Sequence, residues 1–264
     1  DARAAAEALQ MRLNSRALAC AANREQRRTE IAQEKAAWEA ELDAWPQERD
    51  PWSLEVAKDS PAMHPRQMLR ELEKALPADA MVSTDIGNIC SVANSYLRFD
   101  RPRSFFAAMS FGNCGYAFPA IIGAKLAQPS RPAVAYVGDG AWGMSFGELL
   151  TCVREKIPVT AVVFHNRQWG AEKKNQVDFY GNRFVGSNLE NPSFAAIARA
   201  MGAEGIVVEQ LADVGPALAA ACAAQKEGRT TVLEMMVTRE LGDPFRRDAL
   251  RKPLRLLEKY KNCM

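Results

Sequence analysis

From Met63 onward, short apolar runs alternate with helix-length segments, and this alternation constrains the fold more than any other feature of the chain. Ala133–Val137, Pro158–Phe164 and Thr231–Val237 are rich in valine, short, and bounded by proline, glycine or polar residues. Such runs read as strands buried on both faces. Met81–Ser83, Ser104–Ala108 and Ile206–Val208 read as further, shorter strands. Helical segments lie between them: one through Tyr96, one opening at Gly115 and reaching Ala127, then Trp142–Arg154, Phe194–Met201 and Leu211–Gln225. Strands separated by helices imply right-handed crossovers, so the expected fold is α/β, a parallel sheet with helices on both faces. Ligands of such sheets bind beyond the carboxyl ends of the strands, which directs attention to the loops there.

The first sixty residues have a different texture. Residues 1–44 contain neither Gly nor Pro and are rich in Ala, Glu, Arg and Gln, a helical composition with only a weak apolar stripe. Prolines 46, 51, 61 and 65 then interrupt the chain, as in a linker. The expected division is 1–62, the end of a preceding domain with a helical and Pro-rich linker; 63–238, the ligand-binding domain; and 239–264, a basic tail. The chain opens Asp-Ala-Arg without a charged-then-apolar leader, and reads as a fragment or processed chain.

Composition removes several function classes. The 264 residues carry 34 basic and 32 acidic side chains, so no global field favours nucleic acid. The longest apolar stretch, around Ala117–Leu126, is too short to span a membrane and contains Lys125. Six scattered cysteines without CxxC spacing exclude a disulfide scaffold or zinc site and suit reduced thiols in the cytoplasm. Two histidines, His64 and His165, are too few for a His-rich metal centre, and neither lies in a nucleophile-elbow context.

The loop Gly138-Asp139-Gly140-Ala141-Trp142-Gly143 satisfies GxGxxG between a strand and a helix. A dinucleotide site is disfavoured there, because Asp139 would repel a pyrophosphate and the next strand ends in His165-Asn166 rather than an acid. A divalent cation between Asp139 and a diphosphate removes the conflict. Asn166 follows Asp139 by 27 residues, enough for one helix and one strand, so both return to the same sheet edge. A carboxylate, an amide oxygen and a loop carbonyl just past Asn166 are hard donors of the kind Mg²⁺ takes. The glycines flanking Asp139 admit a close backbone approach, and the helix start beyond them attracts anions.

Gly138-Asp139-Gly140, 24 residues and then His165-Asn166 resemble the GDG…NN motif of thiamine-diphosphate-dependent enzymes, with His165 in place of the first Asn. The resemblance implies a metal held by Asp139, Asn166 and the carbonyl of Gln168, with Gly138, Gly140 and Ala141 lining the diphosphate. Thr84-Asp85-Ile86-Gly87-Asn88 is similar to the family loop in which the residues matching Gly87 and Asn88 touch the diphosphate. Gly112-Asn113-Cys114-Gly115 with Ala117-Phe118-Pro119-Ala120 and Gly123-Ala124-Lys125 resembles the acetolactate-synthase-like segment GTMGFGLPA…GAK. That resemblance implies that the Gly112 carbonyl accepts from the aminopyrimidine, with Asn113 beside it and Cys114 as the wedge that bends the cofactor. Cys114 is smaller than the usual Met, Leu or Ile, and as a residue it also reads as a small buried hydrophobe. The segments Phe164–Gln176 and Arg239–Asp248 are similar to those of the sulfoacetaldehyde acetyltransferases within this family. The implied fold is the thiamine-diphosphate-binding fold, diphosphate side, with thiamine diphosphate and Mg²⁺ as cofactors. The implied reaction is sulfoacetaldehyde plus phosphate to acetyl phosphate plus sulfite, in a homo-oligomeric complete enzyme, dimer or tetramer. The glutamate that activates the pyrimidine is then expected outside this chain, and the chain alone is expected to be inactive.

Lys173 and Lys174, just past the metal loop, suit an anionic substrate or phosphate, or else form a solvated charge pair. Arg246 and Arg247 lie in the tail 239–264, which has eight basic and four acidic residues. Arginine forks match sulfonate and phosphate oxygens, although a packing tail has the same composition. Three readings therefore stand: the cofactor-anchoring part of an acetyl-transferring enzyme, an acetolactate-synthase-like carboligase or decarboxylase of α-keto acids, and a non-catalytic cofactor-binding or packing module.

Overall fold

The structure is a computed structural model and describes residues 2–15, 21–44 and 63–239. It divides into two units, Asp1–Glu48 and Arg49–Met264. The described part of the first consists of helices α1 (Ala2–Ser15) and α2 (Ala21–Ala44), whose described residues are mostly exposed.

The second unit begins with α3 (Pro65–Ala75), which has proline at its first position and His64 as N-cap, the Nδ1 accepting from Arg66 N at 3.3 Å. Then follow β1 (Met81–Thr84), α4 (Asn88–Tyr96), β2 (Phe105–Ala107), α5 (Ala117–Ala127) and β3 (Ala133–Gly138). The chain continues through α6 (Asp139–Ser145), α7 (Leu149–Glu155), β4 (Thr160–His165), α8 (Gly170–Tyr180) and α9 (Phe194–Ala200). It closes with β5 (Glu204–Val208), α10 (Leu211–Ala224) and β6 (Thr231–Met236). The six strands form one sheet, all parallel, in the order β2-β1-β3-β4-β6-β5.

Alternation along the strands explains why both faces need cover. Met81, Ala133, Ala135, Val137, Val159, Ala161, Val163 and Val232 share a core cluster with Ala117, Phe118 and Ile121 of α5, Trp142 of α6 and Phe194 and Ala198 of α9. Phe118 and Trp142 meet edge to face at 4.8 Å, a contact contributing about 0.5–1.5 kcal/mol beyond burial. The intervening residues Val82, Val134, Tyr136, Val162, Phe164, Leu233 and Met235 are equally buried. On that side α3 and α10 pack together, with α10 also on β5 and β6. Gly205 in edge strand β5 admits the closest approach, since a Cβ there would fall on the Ala195 carbonyl of α9.

The expected α/β sheet is therefore found. Two local readings differ from the structure. The segment Trp142–Arg154 is not one helix: α6 starts earlier at Asp139, a 3₁₀ turn over Phe146–Glu148 interrupts, and α7 follows. Ser145 leaves helical backbone at φ −130° just before Gly147, which accounts for the break. Helix α8 carries little apolar periodicity and reads from sequence only as a charged helix end, yet it runs for 11 residues.

The chain order reverses beside β1, with β2 on one flank and β3 on the other. A parallel sheet opens a crevice at such a point. The loops after β1 and β3 flank it.

Candidate functional site

Asp139 lies at the centre of that edge. It opens α6 directly after β3 and is 1% exposed. Its Oδ1 accepts from Gly140 N at 2.9 Å, and its Oδ2 accepts from Arg167 N at 2.6 Å and Asn191 Nδ2 at 3.3 Å. Burial pushes the carboxyl above its ordinary range, against the pull of the Arg167 amide and His165. A buried carboxylate of this kind is stabilised by a cation.

Asn166 ends the neighbouring strand β4 and is also buried. Its Oδ1 accepts from Gln168 N at 3.2 Å, closing a tight turn around Arg167. Arg167 has φ +57°, a conformation that costs a non-glycine residue roughly 1–2 kcal/mol. That turn presents the Arg167 amide to Asp139 and places Asn166 and Gln168 side by side. Gln168 is buried; its Nε2 donates to the Arg239 carbonyl at 3.2 Å, while its Oε1 has no hydrogen-bond partner among the described residues.

The loop after β1 joins them. A Cβ on Gly170 would lie 3.9, 3.9 and 3.8 Å from the side-chain nitrogens of Asn88, Asn166 and Gln168. Gly87, which caps α4, has φ +141°. Gly140 lies against the Trp169 ring, where a Cβ would come within 2.8 Å. Gly138 is the N-cap of α6, and Ala141 is buried in its first turn.

Asp85, at the end of β1, connects the third segment. Its Oδ1 accepts from Ile86 N at 2.9 Å and Gly115 N at 3.0 Å, and its Oδ2 accepts from Ala117 N at 3.0 Å. Burial pushes its pKa up, opposed by the Ala117, Ile86 and Gly115 amides. The Cys114 thiol donates to the Ile86 carbonyl at 3.8 Å, and burial, then the Asp85 and Glu172 charges, raise its pKa. Gly112, at φ +75°, and Asn113 stand exposed beside it. Cys114, Cys152 and Cys222 are free thiols.

Lys173 and Lys174 are buried in α8 rather than solvated. Lys173 Nζ donates to Asn188 Oδ1 at 2.8 Å and stands 5.2 Å over the Phe184 ring; burial and then Arg239 lower its pKa. Lys174 pairs with Asp178. Arg246 and Arg247 lie outside the described residues. Among the described residues no cluster of three His, Cys, Asp or Glu side chains could hold a metal. A cation at this edge therefore depends on amide and carbonyl oxygens beside Asp139.

Residues 85–235 match the family described as thiamine pyrophosphate enzyme, C-terminal TPP binding domain. The chain belongs to that family. Among curated relatives, it is 66% identical over 268 residues to sulfoacetaldehyde acetyltransferase of Castellaniella defragrans, covering 99% of this chain and 45% of that protein. It is 65% identical over 272 residues to the enzyme of the same name from Alcaligenes xylosoxydans xylosoxydans, again over 99% of this chain and 45% of the relative. The chain thus spans under half the length of these relatives. Among solved structures, a thiamine diphosphate-dependent 4-hydroxybenzoylformate decarboxylase of Rhodococcus jostii RHA1 shares the fold. Its TM-score is 0.64 at 23% identity, over 69% of this chain and 34% of that one.

Sequence reasoning missed several residues of this thiamine pyrophosphate domain: Asp85 as an organiser, Asn191 on Asp139, and Glu234 with Ser193. An acid inside the run Thr-Val-Leu-Glu-Met-Met of β6 is the signal that could have found Glu234, since a buried strand rarely holds a charge without a partner. Asn191-Pro192-Ser193, a turn dipeptide followed by a capping residue, is the signal for the segment that reaches Asp139.

Proposed function

We propose that the chain is the C-terminal, cofactor-anchoring part of a thiamine-diphosphate-dependent sulfoacetaldehyde acetyltransferase, converting sulfoacetaldehyde and phosphate to acetyl phosphate and sulfite. The observation that carries this reading is the likeness to enzymes of that name along nearly the whole chain. In this reading residues 63–238 form the diphosphate-side domain, 1–62 belong to a preceding domain and linker, and 239–264 form a basic tail.

The donor set fits a Mg²⁺–diphosphate pair. Asp139 is a buried carboxylate, the Asn166 side-chain oxygen keeps a lone pair beyond its turn bond, and Gln168 offers its main-chain carbonyl, all hard oxygens. Gln168 Oε1, which has no hydrogen-bond partner among the described residues, marks the same loop as short of donors. Gly138, Gly140 and Ala141 at the start of α6, with Gly87 and Asn88 of the β1 loop, would hold the diphosphate. Gly112, Asn113 and Cys114 would hold the pyrimidine side of the cofactor. The chemistry that bound thiamine diphosphate supplies is a nucleophilic carbon for the substrate carbonyl. Lys173 and Lys174, together with Arg246 and Arg247, are assigned to the sulfonate and phosphate oxygens. The complete enzyme acts as a homo-oligomer in the cytoplasm, on small anions, without nucleic acid or membrane. Among the described residues no helix is long and apolar enough to cross a membrane.

The test is product analysis with the complete enzyme. Sulfite and acetyl phosphate should appear together from sulfoacetaldehyde and phosphate, and only with Mg²⁺ and thiamine diphosphate. Carbon dioxide or acetohydroxy acids from α-keto acids, without sulfite release from sulfoacetaldehyde, would replace this reading with the carboligase or decarboxylase one.

A further inference from the structure

Behind the two residues assigned to the metal, the chain closes a continuous polar circuit. Asp139 Oδ2 accepts from Asn191 Nδ2 at 3.3 Å. Two residues on, Ser193 Oγ donates to Glu234 Oε2 at 2.6 Å, and Ala195 N donates to the same oxygen at 2.9 Å. Glu234 Oε1 meets His165 Nδ1 at 2.7 Å, and His165 is bonded through the main chain to Asn166. His165 and Glu234 are 3% and 2% exposed.

Each link is rigid for a local reason. Pro192, between Asn191 and Ser193, has a fixed φ. Ser193 is the N-cap of α9, its hydroxyl also accepting from Ala196 N at 3.2 Å. The His165 ring rests against Phe194 with centroids 5.1 Å apart. The segment leading to Asn191 is also laced to the metal loop, Trp169 N donating to Ser187 O at 2.8 Å and Leu189 N to Arg167 O at 2.9 Å. Although burial raises the Glu234 pKa, hydrogen bonds from His165, Ser193 and Ala195 outweigh it and hold the carboxyl at about 2. The carboxylate therefore accepts, and His165 Nδ1 carries the donated proton.

We infer that Asn191, Ser193, Glu234 and His165 are positioning residues that fix Asp139 and Asn166 relative to one another and thereby set the affinity for Mg²⁺. The inference rests on the Mg²⁺ reading proposed above. It also gives the departure from the GDG…NN motif a role. His165 stands where the motif has Asn, and its ring is what joins the ligand loop to Glu234. Outer-shell partners of this kind typically change metal affinity by about 10- to 100-fold when removed.

The experiment titrates Mg²⁺ into the complete protein at saturating thiamine diphosphate, read by calorimetry, with thermal midpoints in chelator recorded in parallel. Glu234→Gln and Asn191→Ala should each raise the Mg²⁺ concentration for half-saturation about 10- to 100-fold. The double variant should fall short of the product of the two, because both break one circuit. Asn191 is only half-buried, so Asn191→Ala decides the matter if Glu234→Gln fails to fold. Mg²⁺ half-saturation within about twofold of the parent, when Asp139→Asn abolishes it, overturns the circuit and leaves the metal reading standing. Asp139→Asn binding Mg²⁺ as the parent does overturns both.

Discussion

Asp85 and Asp139 occupy equivalent places and hold different partners. Each lies at the carboxyl end of a strand, on either side of the point where the chain order reverses, and each is 1–2% exposed. Each accepts from the amide of the next residue at 2.9 Å, and burial raises the pKa of both. Their remaining partners differ. Asp85 takes the amides of Gly115 and Ala117, so its oxygens anchor the start of α5. Asp139 takes one amide from a loop, Arg167, and one side-chain amide, Asn191, beside the oxygens of Asn166 and Gln168. The first carboxylate is consumed in holding a helix end to a strand. The second is held beside side-chain and loop oxygens of the kind a hard cation takes. Position in the sheet and burial do not distinguish the two acids; the identity of their partners does.

Exchanging the two losses breaks the comparison most sharply. Asp139→Ala is expected to abolish Mg²⁺-dependent thiamine diphosphate binding, an effect larger than the about 10–100-fold typical of outer-shell partners. Its thermal midpoint in chelator should fall as well, because the Gly140 and Arg167 amides and the Asn191 side chain lose their acceptor. Asp139→Asn, which keeps an acceptor oxygen, should instead melt near the parent value and still lose the Mg²⁺ dependence. Calorimetry with and without chelator measures the first quantity, and a melt measures the second. Equal cofactor affinity in both conditions for the parent protein would remove Asp139 from the metal altogether.

Asp85→Ala should show the converse. It leaves the amides of Ile86, Gly115 and Ala117 without their acceptor, and each unmade buried bond costs about 1–3 kcal/mol. A stability loss of about 3 kcal/mol or more is expected by urea titration. The folded fraction should keep its Mg²⁺ dependence. A variant with parental stability and lost Mg²⁺ dependence would make Asp85 the functional acid instead.

The same contrast shows what was legible beforehand. Asp139 and Asn166 stand out in the sequence as candidates because their signal is local, a glycine-flanked acid after one buried strand and an amide after the next. Asp85 as an organiser does not, because its partners Gly115 and Ala117 lie about thirty residues away and are backbone amides that any sequence supplies. The parallel sheet was legible from its valine-rich runs. Helix α8 was not, because its buried face includes Lys173 and Lys174, which no apolar pattern announces. The break at Ser145–Gly147 was missed because a helical composition continues on both sides of it.

Acid titration tests a third carboxylate of the other kind. Glu234 has a pKa held at about 2, below its ordinary value of 4.5. Its ionised form therefore adds stability that is fully present above about pH 4.5 and is lost as pH falls toward 2. Asp85 and Asp139 have raised values, so protonation relieves them as pH falls and they cannot cause that loss. Glu234→Gln should abolish roughly 2 kcal/mol of the decline between pH 6 and pH 3, read from urea midpoints. An acid profile parallel to the parent's would remove Glu234 as its source.

The smallest effect separates two neighbouring cations in the same way, by their partners. Lys174 is matched by the Asp178 carboxylate four residues on, so an anion arriving there competes with a charge already in place. Lys173 shares its ammonium with the neutral oxygen of Asn188 and the face of Phe184, and it feels the charge of Arg239. Arg239 in turn is tied through its carbonyl to Gln168 in the loop after β4. In the proposed reading, Lys173 and Arg239 bring two basic side chains near the loop assigned to the metal. In the complete enzyme Lys173→Ala should raise the Michaelis constant for phosphate or sulfoacetaldehyde by up to about tenfold, the value of one modest charge-assisted contact. Lys174→Ala should raise it less, because that ammonium is already engaged by Asp178. A larger effect at Lys174 than at Lys173 would reverse the assignment and make Asp178 a gate on the anion rather than a bystander.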